Sequence, residues 1–160
     1  MSACPDSPAE STPMRLLPMH PEHLPRVLDI ERRVYEFPWS EGIFRDCLRA
    51  GYSAWVVVNG IGEVQAYGLL TMAVGEAHLL NLCVAPERQR QGIARFILEH
   101  LMKLARAANC TVMLLEVRRA NKAAMALYEA YGFQRVGLRK NYYPAEQGRE
   151  DAFVYAHDFD

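Results

Sequence analysis

The chain has 160 residues, with 18 lysines and arginines against 19 aspartates and glutamates, and a formal charge of −1 that argues against binding nucleic acid through bulk positive charge. Hydrophobic residues make up 51% and charged residues 23%, the balance of a globular protein, and the length predicts one core without a second module. No apolar run approaches the ~20 residues that span a bilayer. The four scattered cysteines (Cys4, Cys47, Cys83, Cys110) form no C-x-x-C pair, which argues against a zinc site or disulfide scaffold and predicts a reducing, cytoplasmic setting.

Residues 1–13 (MSACPDSPAESTP) are small, polar and proline-rich without a basic stretch, so they read as a disordered tail and not as a secretory signal. The folded domain is expected over residues 14–160. Leu24, Val27, Leu28 and Val34 among charges predict a first helix over His20 to Tyr35. Pro38 breaks the chain, and Ser40 is placed to cap a second helix running through Ala50. Ala54 to Val58 and Glu63 to Met72, joined by the Asn59–Gly60 turn, predict a hairpin. Ala77 to Val84 (AHLLNLCV) is a further strand, ended by Pro86. Ile93, Ile97, Leu101, Leu104 and Ala108 recur at helical intervals within Gln91 to Ala108. The apolar run Thr111 to Val117 (TVMLLEV) predicts a strand covered on both faces. A short helix over Asn121 to Tyr131 is closed by Gly132. Phe133 to Leu138 and Ala152 to His157 then form a last pair of strands around a loop spanning Arg139–Asp151. This order predicts an α/β (α+β) domain built on one central mixed sheet.

Four places carry candidate chemistry. In VAPERQRQGIA (residues 84–94) a strand runs into a loop and Gln-x-x-Gly-x-Ala opens a long helix. Free backbone N–H groups and the positive helix end converge there, which suits a pyrophosphate. Gly92 allows close backbone approach, Ala94 is small, and Arg88, Arg90 and Arg95 add charge. Taken alone, the segment also reads as an ordinary strand-to-helix turn with solvated arginines. It has neither the three glycines of a dinucleotide fingerprint nor the Gly-Lys-Ser/Thr of a phosphate loop. Glu116 is a lone carboxylate at the end of an apolar strand, fit for a general base directly or through water, or for a strand end reaching solvent. Tyr128 is either a core aromatic or a phenol able to protonate a leaving thiolate, since the reference pKa values of ~10 and ~8.5 lie close. Asn121 is a natural N-cap that could also bind a cofactor's amide arm.

Taken in order, FPWSEGIF (37–44), NLCVAPERQRQGIARFILEHL, LLEVRRANKAAMALYEAYGFQRVG and RKNYYPAEQGREDAFVYAHDF resemble the GNAT superfamily of acetyl-CoA-dependent N-acetyltransferases. More narrowly, they are similar to the bacterial ribosomal-protein alanine N-acetyltransferases. The resemblance covers roughly residues 14 to 158. It implies a mixed, mostly antiparallel sheet flanked by helices, with strands splayed at the acetyl-CoA site. Leu82, Cys83 and Val84 would then present backbone groups to the pantetheine arm. Arg90, Gln91, Gly92, Ile93, Ala94 and Arg95 would hold the pyrophosphate, and Asn121 would contact the coenzyme. Glu116 would be the general base and Tyr128 the general acid in a direct transfer that needs no metal and no cysteine nucleophile, so that Cys83 is packing. Ala94 departs from the glycine more frequent in this family, and the tail is longer than usual.

The implied acceptor is the N-terminal alanine of a basic small-subunit ribosomal protein, the eighteenth. An α-amine (~7.7–8.0) holds roughly 300-fold more free base than a lysine (~10.4) at a given pH, so one modest base suffices. Acids in the first two helices (Asp29, Glu31, Glu36, Glu41, Asp46) are candidates for steering arginines of such a tail, or for plain solvated faces. Trp39 or Tyr143 would limit the first side chain to a small one. The alternatives are acetylation of another amine (a lysine side chain, polyamine or small molecule), or a non-catalytic module that binds acetyl-CoA.

Overall fold

The computed structural model describes residues 14–160, so the tail assigned to residues 1–13 lies outside the described residues. Strand β1 (Arg15–Pro18) leads to helices α1 (Leu24–Val34) and α2 (Glu41–Arg49), then to β2 (Ser53–Val58), β3 (Val64–Ala73) and β4 (Glu76–Val84). Helix α3 (Ile93–Ala107), β5 (Val112–Arg118), α4 (Lys122–Ala130), β6 (Gln134–Pro144) and β7 (Arg149–Asp158) complete the chain. The seven strands form one open sheet in the order β1-β2-β3-β4-β5-β7-β6. β1 pairs antiparallel with β2, and β7 antiparallel with both β5 and β6, while β4 lies parallel to β5. A parallel neighbour needs a long crossover, and α3 supplies it. This is the mixed, mostly antiparallel α/β architecture expected.

Several local expectations hold for the expected physical reasons. Ser40 Oγ accepts the Ile43 N–H at 3.3 Å and so caps α2. Gly132 takes φ 87°, closing α4 in the left-handed conformation that suits glycine. Four points differ. Pro21–His23 is a 3-10 turn, and α1 proper begins only at Leu24, a residue ahead of Pro25. Strand β1 was not anticipated, because RLLP is too short to show a period; its pairing with Trp55–Val58 of β2 creates it. The segment expected to be a loop, Arg139–Asp151, is mostly strand: β6 continues to Pro144 and β7 begins at Arg149. It hides its strand character by being polar, since β6 pairs only with β7 at the sheet's edge and is exposed along most of its length. Finally, β5 is not covered on both faces. Met113, Leu115 and Val117 are buried, whereas Val112, Leu114, Glu116 and Arg118 on the other face are only half-buried.

The chain divides into two compact units, the described part of Met1–Leu69 with Asn81–Leu98, and Leu70–Leu80 with Glu99–Asp160. In the first, Leu24, Val27, Ile30, Val56, Val57, Ala66 and Leu69 are buried around Phe44, whose ring meets Tyr67 edge-on at 5.8 Å. In the second, Leu70, Leu101, Ala105, Met113, Leu115 and Tyr155 form the core.

Candidate active site

The first unit contains β4's C-terminal half and the turn after it. The register of β4 with β5 runs from Glu76↔Val112 to Leu79↔Leu115, and β4 continues to Val84 past the last pair. Leu82, Cys83 and Val84 therefore lie where that ladder has ended. Their backbone is tied down from the other side: the Tyr35 hydroxyl lies 3.3 Å from both the Leu82 carbonyl and Asn81 Oδ1, and the Ala85 N–H donates to the Gln65 carbonyl at 2.8 Å. Beneath this strand sits Glu31, 1% exposed, whose carboxylate accepts from the Trp39 N–H (2.9 Å), Tyr67 hydroxyl (2.5 Å) and Asn81 amide (3.1 Å). Glu31 thus belongs to the interior and not to an acidic steering surface, which corrects its place in the sequence-derived set. Asp29 faces Arg26 and Arg33, Glu41 faces Arg45, and Asp46 faces Arg49. Burial pushes the Cys83 thiol up to about 12, which fits packing and not a nucleophile.

After Val84 the chain makes a 3-10 turn, Pro86–Arg88, and then takes positive φ at Arg90 (65°) and Gly92 (82°) before α3 begins. Left-handed residues at the start of a helix gather successive N–H groups into a concavity that suits anions. The N–H groups of Ile93 and Ala94 precede the first carbonyl they could reach within the helix. A Cβ built on Gly92 meets nothing within 4 Å, so glycine is present for its φ and not for lack of room. Arg90, Gln91 and Arg95 are exposed beside it, while Ile93 is buried, so Ile93 can serve an anion only through its backbone. These features fit a diphosphate.

The second unit holds Glu116, Tyr128 and their neighbours. Glu116 Oε2 lies 2.6 Å from His78 Nε2 of β4, and Oε1 accepts from Arg139 Nη1 of β6 at 3.1 Å. His78 sits opposite Leu114, two residues before Glu116 on the same face of β5, within diagonal cross-strand reach. The His78 contact, more than Arg139, holds the Glu116 carboxyl below its usual range although burial opposes this. Tyr143 stands nearby: burial first, then the Glu116 charge, push its phenol up to about 12. Tyr128 is 8% exposed and packs on Phe133, and burial raises its phenol, with Tyr143 adding to the effect. Glu116, Tyr143 and Tyr128 are therefore electrostatic neighbours within one unit. Asn121 Oδ1 accepts the Ala124 N–H at 3.1 Å as the N-cap of α4.

An irregularity in β6 aims Tyr143. The register slips between Arg139↔Ala152 and Tyr143↔Glu150, and Asn141 takes φ 52°. Asp151 accepts the Asn141 N–H at 3.0 Å, and Arg149 donates to the carbonyls of Asn141 (2.7 Å) and Tyr142 (2.9 Å). Glu150 accepts from Arg118 and from the Ala120 N–H, both at 3.0 Å, and the Arg118 guanidinium lies 4.4 Å from the Tyr143 ring centre. Bulges re-aim side chains in this way. His78, Arg139 and the Glu31–Asn81 pair were missed in sequence. The signal available was a lone polar residue in an apolar strand, twice over in AHLLNLCV.

The chain is similar to known proteins over most of its length. The model of the acetyltransferase (GNAT) family matches residues 24–133. The chain is 40% identical over 133 residues, 83% of its length and 89% of the relative's, to the ribosomal protein bS18-alanine N-acetyltransferase of Escherichia coli (strain K12). It is 34% identical over 132 residues to that of Haemophilus ducreyi, covering 82% of this chain and 90% of the relative. The crystal structure of the Escherichia coli ribosomal-protein-S18-alanine N-acetyltransferase superposes with a TM-score of 0.84 at 36% identity, over 91% of this chain and 93% of the other.

Proposed function

The chain belongs to the acetyltransferase (GNAT) family, and from that premise we propose that it acetylates the N-terminal alanine of ribosomal protein bS18. It is an acyltransferase using acetyl-CoA. The observation that carries the substrate is the 40% identity to the Escherichia coli enzyme over 89% of that relative's length. The bS18 specificity of that relative is what we transfer. Residues 14–160 form the catalytic domain, acting in the cytoplasm; among the described residues no helix is long and apolar enough to cross a membrane.

The turn Arg90 to Arg95 holds the diphosphate of the acetyl donor, and Leu82, Cys83 and Val84 offer backbone groups to its arm. The donor supplies an activated thioester, and everything else falls to the chain. Glu116 and its surroundings receive the proton that the amine gives up as its C–N bond forms. Tyr128, kept protonated by burial, stands as hydrogen-bond donor to the departing sulfur and passes it a proton. Asn121 acts by fixing the start of α4, the helix that carries Tyr128.

The test is transfer from acetyl-CoA to a basic peptide with the bS18 N-terminus, read by tandem mass spectrometry. The acetyl group should sit on the alanine α-nitrogen, and a peptide blocked there but carrying free lysines should stay unmodified. Modification of lysine or of a polyamine in preference to the α-amine would overturn this reading.

A further inference from the structure

We propose that the imidazole of His78, and not the carboxylate of Glu116, takes the proton from the acceptor amine, with Glu116 as the positioning residue that fixes the tautomer of His78. This rests on the acetyltransferase reading above and specifies its base. Both oxygens of Glu116 are engaged, one by His78 at 2.6 Å and one by Arg139 at 3.1 Å, and its side chain is 11% exposed. Two of its roughly four acceptor sites are therefore taken by cationic or polar donors, and its side chain is far less open to an incoming amine than that of His78. The His78 side chain is 39% exposed, and among the described residues Nδ1 has no partner. An ionised carboxylate only accepts, so the proton of neutral His78 resides on Nε2 and the lone pair on Nδ1. Glu116 then serves as the buried acid does in a Ser-His-Asp triad: it orients the ring and stabilises the imidazolium that forms. Arg139 and Tyr143, both of β6, are the charged and titratable groups that act on the pair among the described residues.

The step balances. The amine lone pair forms the C–N bond, His78 Nδ1 takes one proton from that nitrogen, the C–S bond breaks, and Tyr128 gives its proton to the sulfur. Solvent then removes the proton from His78 and restores that of Tyr128.

Three measurements on the full chain test this. Long-range 15N–1H spectra near pH 7 should report His78 as the Nε2–H tautomer, with Glu116→Gln blurring that preference; an Nδ1–H tautomer overturns the proposal. In peptide turnover at saturating substrates, His78→Gln should lower kcat by ~10²–10³-fold at pH 7. His78→Ala should regain part of its activity with added imidazole, and calorimetry on both variants should show acetyl-CoA affinity within 3-fold of wild type, roughly the spread expected of an unperturbed site. A His78→Gln enzyme matching an active wild type at every pH overturns this proposal alone. A wild type inactive on the peptide overturns the substrate reading along with it.

Discussion

Replacing Glu31 by Gln tests whether the buried carboxylate organises the first unit. Its three partners are all donors: the Trp39 N–H on Oε2, and the Tyr67 hydroxyl and Asn81 amide on Oε1. A glutamine has one oxygen. With that oxygen kept towards Tyr67 and Asn81, its NH2 faces the Trp39 N–H, donor against donor. Turned over, it faces the Asn81 NH2 instead, while the Tyr67 hydroxyl can rotate to accept. Either way one buried N–H loses its acceptor, which costs about 1–3 kcal/mol, and the remaining bonds lose their charge assistance. A total of about 2–4 kcal/mol follows, a large part of the ~5–15 kcal/mol available to a domain. The midpoint of thermal unfolding should fall by roughly 4–16 °C. Glu31→Ala strands all three donors and should lie lower still. Urea unfolding followed by tryptophan fluorescence provides the measurement. Because Asn81 precedes Leu82, the KM for acetyl-CoA should rise as well. Stability within about 0.5 kcal/mol of wild type, the range of a surface substitution, would refute this account of Glu31.

Three further outcomes are expected. Tyr128→Phe removes a hydroxyl and leaves the buried ring, so stability and acetyl-CoA affinity should hold while kcat falls by at least ~10-fold; equal kcat values would remove Tyr128 from the proton path. Gly92→Asp adds a negative charge at the anion concavity on top of the strain of φ 82°, whereas Gly92→Ala adds the strain alone. Calorimetry should find acetyl-CoA weakened at least ~10-fold more by the aspartate, by simple charge repulsion, and equal losses would argue against a diphosphate there. Hydrogen bonding from Arg33 chiefly holds the Glu87 carboxyl at about 2, below its ordinary 4.5. A depressed carboxyl stabilises above its unfolded value and loses that contribution as pH falls through the folded one. Glu87→Gln should therefore be less stable at neutral pH, by under ~1 kcal/mol for so exposed a group, and the gap should close between pH 4.5 and 2. A gap that widens with acid would contradict the assignment.

Much of this was legible in the chain itself because it depends on local chemistry. Ser40 caps α2, Gly92 turns the chain before α3, and Gly132 closes α4, each through a conformational demand that a residue type announces. The order of strands and helices after β1 followed from period and punctuation. What escaped depends on neighbours distant in sequence. The Glu116 carboxylate was visible, but its two partners come from β4 and β6, 38 and 23 residues away. Glu31 looked like one more acid on an amphipathic helix, since nothing within α1 reveals that Tyr67 and Asn81 lie beneath it. The polar run Arg139–Asp151 read as loop because its pairing is fixed by Asp151 and Arg149 bonding backbone across the hairpin, a device without periodicity. Asn121 showed both of its possible roles, and its Oδ1 caps the start of α4.

The central claim is the substrate, and one measurement meets it directly: intact-mass and N-terminal peptide analysis of the small-subunit ribosomal proteins from cells with and without this gene. The account predicts that bS18 alone loses one acetyl group from its N-terminal alanine, and that the wild-type chain restores it while the Tyr128→Phe variant restores it poorly. A bS18 that stays fully acetylated in the deletion strain would contradict it.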